Sequence, residues 1–259
     1  MLFDTHCHLD FPDFDTDRSQ AIERARSEDV GYLLNVGSSL EASARSLSLS
    51  RRYEFIYSSL GIHPNYADSA DSTMLSEIKS MAGDEKVIAI GEVGLDYYRM
   101  GSGKEAQRGL FRDFIRMAGE LDLPLIVHNR DAGDDTLSLL AENSRSGQKA
   151  VMHCFSQDRS FLKRCLDAGL HVSFTANVTF KNASCVRDAA SYVPLGRFFL
   201  ETDSPFLAPQ AARGRRNEPA YVKYVAEEIA RLRKKDVSAI AEHTTACACS
   251  FFNIKRENG

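Results

Sequence analysis

The run Val87-Ile88-Ala89-Ile90-Gly91-Glu92 sets apolar residues side by side without alternation and ends on a carboxylate. A strand with one wet face alternates apolar and polar residues; a strand covered on both faces does not. Continuous apolar runs of this kind belong to parallel sheets flanked by helices. Outward from it, short β-branched or aromatic runs alternate with longer stretches of helical period, the βα signature. Strands are predicted at Leu2–Thr5, Tyr32–Val36, Phe55–Leu60, Val87–Gly91, Leu125–Val127, Ala150–Met152, His171–Phe174 and Arg197–Leu200. Helices are predicted near Arg18–Glu28, Leu40–Arg51, Met74–Met81, Glu105–Leu121, Asp135–Glu142, Ser160–Ala168, Ala183–Tyr192 and Pro219–Arg233, with a further one at Ser238–Phe252. Eight such units in 259 residues fit one α/β domain spanning residues 1–259, a (β/α)8 barrel of TIM type with an extra C-terminal helix.

Local punctuation agrees. Ser38-Ser39-Leu40-Glu41 reads as a capping box with Ser38 as the cap and Glu41 reaching back. Ala168-Gly169 reads as a helix stop, and Leu123-Pro124 bars the preceding helix from continuing. Val237, Ile240, Ala241, Thr244, Cys247, Ala248 and Phe251 recur at helical spacing, a stripe expected to seal against the sheet. The longest predicted connections, Tyr97–Lys104 and Glu201–Glu218, are too short to be interdomain linkers.

The formal net charge is −4, which argues against a surface that coats nucleic acid by bulk electrostatics. Local recognition of a phosphodiester or a strand end stays open. The opening residues Met1-Leu2-Phe3-Asp4 enter a strand without a basic or apolar leader, and no run reaches the roughly 18 apolar residues of a membrane span. A cytoplasmic setting with no membrane partner is expected, and the six cysteines are expected to be reduced thiols. Cys247-x-Cys249 falls in a helix, where residues two apart do not share a face, so both read as small buried residues.

Histidines and acids gather where the strands end. His6 and His8 close the first strand, and residues i and i+2 of an extended chain share a face. Glu92 follows the fourth strand, His128 the fifth, His153 the sixth and Asp203 the eighth. Barrel enzymes place their sites at the C-terminal ends of strands. One such histidine has an ordinary structural explanation, as a buried polar residue with its hydrogen bonds satisfied; a full set at one kind of position does not. Six donors exceed the three or four that hold one catalytic zinc, whereas two ions with a shared carboxylate account for them. The expectation is two divalent ions per subunit, Zn, Mn or Mg. His6, His8 and Asp203 hold the first and His128 and His153 the second, with Glu92 between them. Such a pair acidifies water and neutralises charge on attacking and leaving oxygens, which is hydrolytic chemistry. Asp203 is the expected general base, with Glu92 as the second catalytic carboxylate.

Substrate contacts are expected from His63, Arg130, Arg216 and Asn217. Guanidinium forks match phosphate oxygens, and barrels often bind phosphate in the loops after strands 7 and 8. A solvated surface loop explains the Arg213–Arg216 run equally well, and a structural hydrogen bond explains His63. Tyr97 and Tyr98 are candidates for stacking on a base or, more simply, for packing a lid.

These stretches together resemble the TatD-type metal-dependent deoxyribonucleases of the amidohydrolase-like superfamily. The resemblance is carried by Asp4-Thr5-His6-Cys7-His8-Leu9, Gly61-Ile62-His63-Pro64, Gly91-Glu92-Val93-Gly94-Leu95-Asp96-Tyr97-Tyr98, Leu123 to Arg130, His153-Cys154-Phe155-Ser156, Glu201-Thr202-Asp203-Ser204-Pro205 and Arg216-Asn217-Glu218-Pro219, in family order. It implies a barrel that hydrolyses phosphodiester bonds, trimming single-stranded DNA, or RNA, from the 3′ end; no obligate protein partner is expected. The family's metal ligands fall on His6, His8, Glu92, His128, His153 and Asp203. Asn65, Gln157 and Cys247 depart from residues frequent in the family (His, Gly and Asn), and none of them removes a ligand. Two other functions compete. One is a deacylase or amidase of the same superfamily, for example on misacylated tRNA; many such relatives bridge their metals with a carboxylated lysine, where this chain has Glu92. The other is a metal-binding scaffold without activity.

Overall fold

The computed structural model describes residues 1–255. Eight strands, β1 (Leu2–Cys7), β2 (Val30–Val36), β3 (Ile56–Leu60), β4 (Val87–Asp96), β5 (Leu125–Arg130), β6 (Ala150–Met152), β7 (His171–Phe174) and β8 (Phe198–Leu200), lie in one sheet in sequence order. The pairs β1–β2, β3–β4, β4–β5, β5–β6 and β7–β8 are parallel. Beyond β8 the chain returns to the first strand: the Asp203 amide donates to the His6 carbonyl (2.8 Å), and the His8 amide donates to the Ser204 carbonyl (2.8 Å). Sequential parallel strands with the eighth joined to the first make the (β/α)8 topology expected from the sequence.

The chain packs as two compact units. The first holds Met1–Asn35, Cys154–Asp167 and the residues from His171 onward; the second holds Val36–His153 with Ala168–Leu170. In the first, the helices are α1 (Arg18–Ser27), α6 (Arg159–Asp167), α7 (Ser184–Tyr192), α8 (Val222–Arg233) and α9 (Val237–Phe251). Ile240, Ala241, Thr244, Ala248 and Phe251 of α9 are buried as the stripe requires, whereas Val237, its first residue, stays exposed. Phe251 meets Phe199 of β8 (centroids 5.0 Å), and Phe252 meets Phe3 of β1 (6.2 Å). Each such buried ring contributes about 1.5–3 kcal/mol. In the second unit, α2 (Leu40–Ser50), α3 (Ser72–Met81), α4 (Lys104–Leu121) and α5 (Gly133–Asn143) cover β3 to β6. Leu110, Phe111, Phe114, Ile115 and Ala118 give α4 the face it buries.

Three local differences from the sequence reading have physical causes. The cap of α2 is Ser39, not Ser38: its hydroxyl accepts from the Ala42 amide (3.1 Å) and bonds the Glu41 carboxylate (3.0 Å). The stop of α4 is Asp122 in the left-handed region (φ 56°), two residues before the proline. Strand β4 runs on to Asp96, five residues past its predicted end. Gly91 (φ 152°) and Gly94 (φ 143°) allow this extension. A β-carbon at Gly91 would lie 2.6 Å from that of Ile126, and one at Gly94 would run into the His128 carbonyl, so β5 approaches closely because both residues are bare.

Candidate metal centre

In the first unit, β1 delivers His6, and His8 follows one residue beyond its end. Their Nε2 atoms are 3.2 Å apart, which is the shared face that i, i+2 spacing demands. Asp203 joins them, with Oδ1 3.8 Å from His6 Nε2 and 3.6 Å from His8 Nε2. The two imidazoles are buried and the carboxylate is half-buried, so the group opens toward solvent on the Asp203 side. Asp203 sits in the left-handed region (φ 57°), a conformation that surrounding bonds must enforce. Those bonds are visible. Asn217 Nδ2 donates to the carbonyls of Thr202 (2.9 Å) and Phe206 (2.6 Å), tying down both sides of Asp203. The amide and hydroxyl of Thr202 lie 2.8 and 2.6 Å from the two oxygens of Asp4. Burial raises the Asp4 carboxyl to about 8 despite these hydrogen bonds.

In the second unit, Glu92 is the hub. Its Oε1 is 2.6 Å from His128 Nδ1, 2.7 Å from His153 Nε2 and 3.8 Å from His63 Nε2. Burial alone would raise the Glu92 carboxyl, but the imidazoles of His153, His63 and His128 outweigh it and hold the group well below the usual carboxylate range. Burial brings His63 down to about 4. His63 Nδ1 accepts from the Asn65 amide (3.1 Å), so the neutral ring presents its Nε2 proton toward Glu92. His128 moves upward: hydrogen bonds to Asp96 and Glu92 overcome the effect of burial.

Glu92 and His128 lie inside their strands rather than after them, because β4 and β5 both run longer than their apolar stretches suggest. Two of the expected substrate contacts are instead bonded within the protein. Arg216 makes a two-pronged pair with Asp17 (2.6 and 2.8 Å) and covers the Phe14 ring, and Asn217 is fully buried in the bonds just described. Tyr97 is likewise engaged, bonding Asp135 (2.7 Å) beneath Lys104. Tyr98 is 65% exposed with the Arg130 guanidinium 4.8 Å from its ring centre, which leaves this pair available to a ligand.

Two buried acids are not singled out by the sequence reading. Asp96 places Oδ2 3.2 Å from His128 Nε2, and Glu201 accepts from the Cys154 amide (2.7 Å). The signal that pairs His6 with His8 also finds them: Asp96 is in even register with Glu92 on an extended strand, and Glu201 is two residues before Asp203.

The donors suit a divalent cation. His6, His8 and Asp203 form one triad, and His63, Glu92 and His128 form another; within each, the ligand atoms lie within 4.8 Å of one another. Imidazole nitrogen with carboxylate oxygen is the donor mixture of zinc and manganese sites, and three protein ligands leave room for water or substrate.

Comparison with known proteins agrees. A family model described as "TatD related DNase" matches residues 3–253. The "uncharacterized metal-dependent hydrolase YabD" of Bacillus subtilis is 42% identical over 254 residues, 98% of this chain and all of that one. The "3'-5' ssDNA/RNA exonuclease TatD" of Salmonella typhimurium is 34% identical over 98% of this chain and 99% of its own. The crystal structure of YjjV, a TatD homologue from Escherichia coli K12, superposes with a TM-score of 0.92 at 29% identity, covering 98% of each chain. The (β/α)8 fold is thus shared along the whole length.

Proposed function

From a chain that belongs to the TatD family of metal-dependent hydrolases, we propose a nuclease that removes nucleotides from the 3′ end of single-stranded DNA or RNA. The observation that carries this reading is the presence of imidazole–carboxylate groups suited to a divalent cation in a chain 34% identical to an exonuclease of that description. In the proposal, His6, His8 and Asp203 hold one divalent ion, and Glu92, His128 and His153 hold another. When bound, the ions supply an acidified water and charge neutralisation at phosphate.

The chain's own residues do the rest. Asp203, partly open to solvent, takes the proton of the attacking water. The water oxygen bonds phosphorus as the bond to the departing oxygen breaks, and the proton passes from Asp203 by way of solvent to that departing oxygen, giving a phosphomonoester and an alcohol. Arg130, stacked on Tyr98, engages a phosphate oxygen while the exposed ring offers a face to a base. No substrate contact is assigned to Arg216 or Asn217, whose side chains are already bonded within the protein. Among the described residues, no helix is long and apolar enough to cross a membrane.

The test is a time course on end-labelled single-stranded DNA with magnesium, manganese or zinc, run beside an aminoacyl-tRNA. Shortening from the 3′ end, abolished in Asp203→Asn, supports the proposal. Deacylation of the tRNA with intact DNA would replace it with the acyl-hydrolase reading.

A further inference from the structure

His128 is held from both ends. Its Nδ1 faces Glu92 Oε1 at 2.6 Å and His153 Nε2 at 3.3 Å, and its Nε2 faces Asp96 Oδ2 at 3.2 Å. Asp96 is buried and cannot swing away. Its other oxygen accepts the Tyr98 and Arg99 amides (3.0 and 2.7 Å). Its own amide donates to Gln107 Oε1 (2.8 Å), and Gln107 Nε2 donates back to the Asp96 carbonyl (3.1 Å). Every polar group of this residue is thereby fixed, and a single carboxylate oxygen is left for the ring.

We propose that Asp96 is the positioning residue of the second metal group: it holds the Nε2 proton of His128 and so leaves Nδ1 as the atom that binds the ion beside Glu92. A neutral imidazole carries one proton, and the partner of one nitrogen decides which nitrogen is free to bind metal. Without Asp96, the ring keeps its Nδ1 proton against Glu92, and binding must remove it against that bond. With Asp96, the single proton of the neutral ring sits on Nε2 against the carboxylate, and Nδ1 is the nitrogen left for the ion. The inference rests on the metal-binding part of the reading above and not on the choice of nucleic acid as substrate.

Asp96→Asn separates positioning from a merely structural role. The amide oxygen can still accept the Tyr98 and Arg99 amides, so the turn is retained. Its NH2 then faces Nε2 and favours the wrong tautomer. Zinc titration by calorimetry is expected to show the affinity of one site falling about 10–100-fold in both Asp96→Asn and Asp96→Ala, with the other site unchanged. Long-range nitrogen–proton spectra of the zinc-loaded wild type are expected to show His128 protonated at Nε2. Wild-type affinity in Asp96→Asn, or a His128 protonated at Nδ1 in the loaded protein, overturns the proposal. The wild-type spectrum decides even if neither variant folds. A wild-type protein that binds zinc but cleaves no nucleic acid would count against the function proposed above and leave this inference standing.

Discussion

Thr202 and Asp4 join the end of the eighth strand to the first. The Thr202 amide and hydroxyl are 2.8 and 2.6 Å from the two oxygens of a carboxyl with no solvent exposure. The pair lies two residues before His6 and one before Asp203, so it sets the spacing of the donors that follow.

In the metal-free protein this pair is expected to have a pH signature. The Asp4 carboxyl is raised from 3.8 to about 8 in the folded state, chiefly by burial. A raised folded value means that the stability it confers is complete below about pH 4 and is lost as the pH climbs through about 8. Asp4→Asn keeps the acceptor for the Thr202 amide and carries no charge. Its stability in urea melts should therefore gain on the wild type between those limits, and a constant difference across that range would refute the assignment.

Replacing donors one group at a time tests whether the two groups bind separately. His6→Ala and His128→Ala are each expected to lower the zinc content by one ion per chain while leaving circular dichroism unchanged. Loss of all metal from either single variant would show that the groups do not bind independently.

Arg216 is expected to matter for stability rather than catalysis. Arg216→Ala removes a two-pronged pair with Asp17, and a partly buried arrangement of this kind contributes about 1–2 kcal/mol. Bonds from Arg216 and Arg24 hold the Asp17 carboxyl below its ordinary 3.8, so the contribution is present above about pH 4 and fades in acid. The checks are a lower Tm at neutral pH, convergence with the wild type in acid, and an unchanged KM.

Gly94→Ala should be among the most damaging single-methyl additions. It combines a φ of 143° with a β-carbon driven into the His128 carbonyl, and it acts on the strand that carries a metal donor. A loss of more than about 3 kcal/mol, with weakened metal binding, is expected. A near-neutral variant would mean that β5 yields at little cost.

Much of this was legible beforehand because burial leaves a mark on composition. Val87 to Ile90 reads as a two-sided strand, and His6 and His8 read as neighbours, because strand geometry allows nothing else. What stayed hidden depended on tertiary approach. The run of β4 to Asp96 depends on two glycines meeting a neighbouring strand, which no pattern inside β4 reveals. Arg216 and Asn217 looked like ligand-seeking groups because a sequence does not display Asp17, or the carbonyls of Thr202 and Phe206, waiting for them. Asp96 sat in plain view at the right period, its purpose set only by the ring nitrogen opposite.

The packing of α9 on β1 has a consequence for biosynthesis. Phe3 is covered by Phe252, and the Met1 carbonyl is capped by the Thr245 hydroxyl. The ribosome makes these partners some 240 residues apart, so the opening strand emerges long before its cover exists. An apolar edge left waiting that long is a target for chaperones and for self-association, and this seam closes only after α9 has been made.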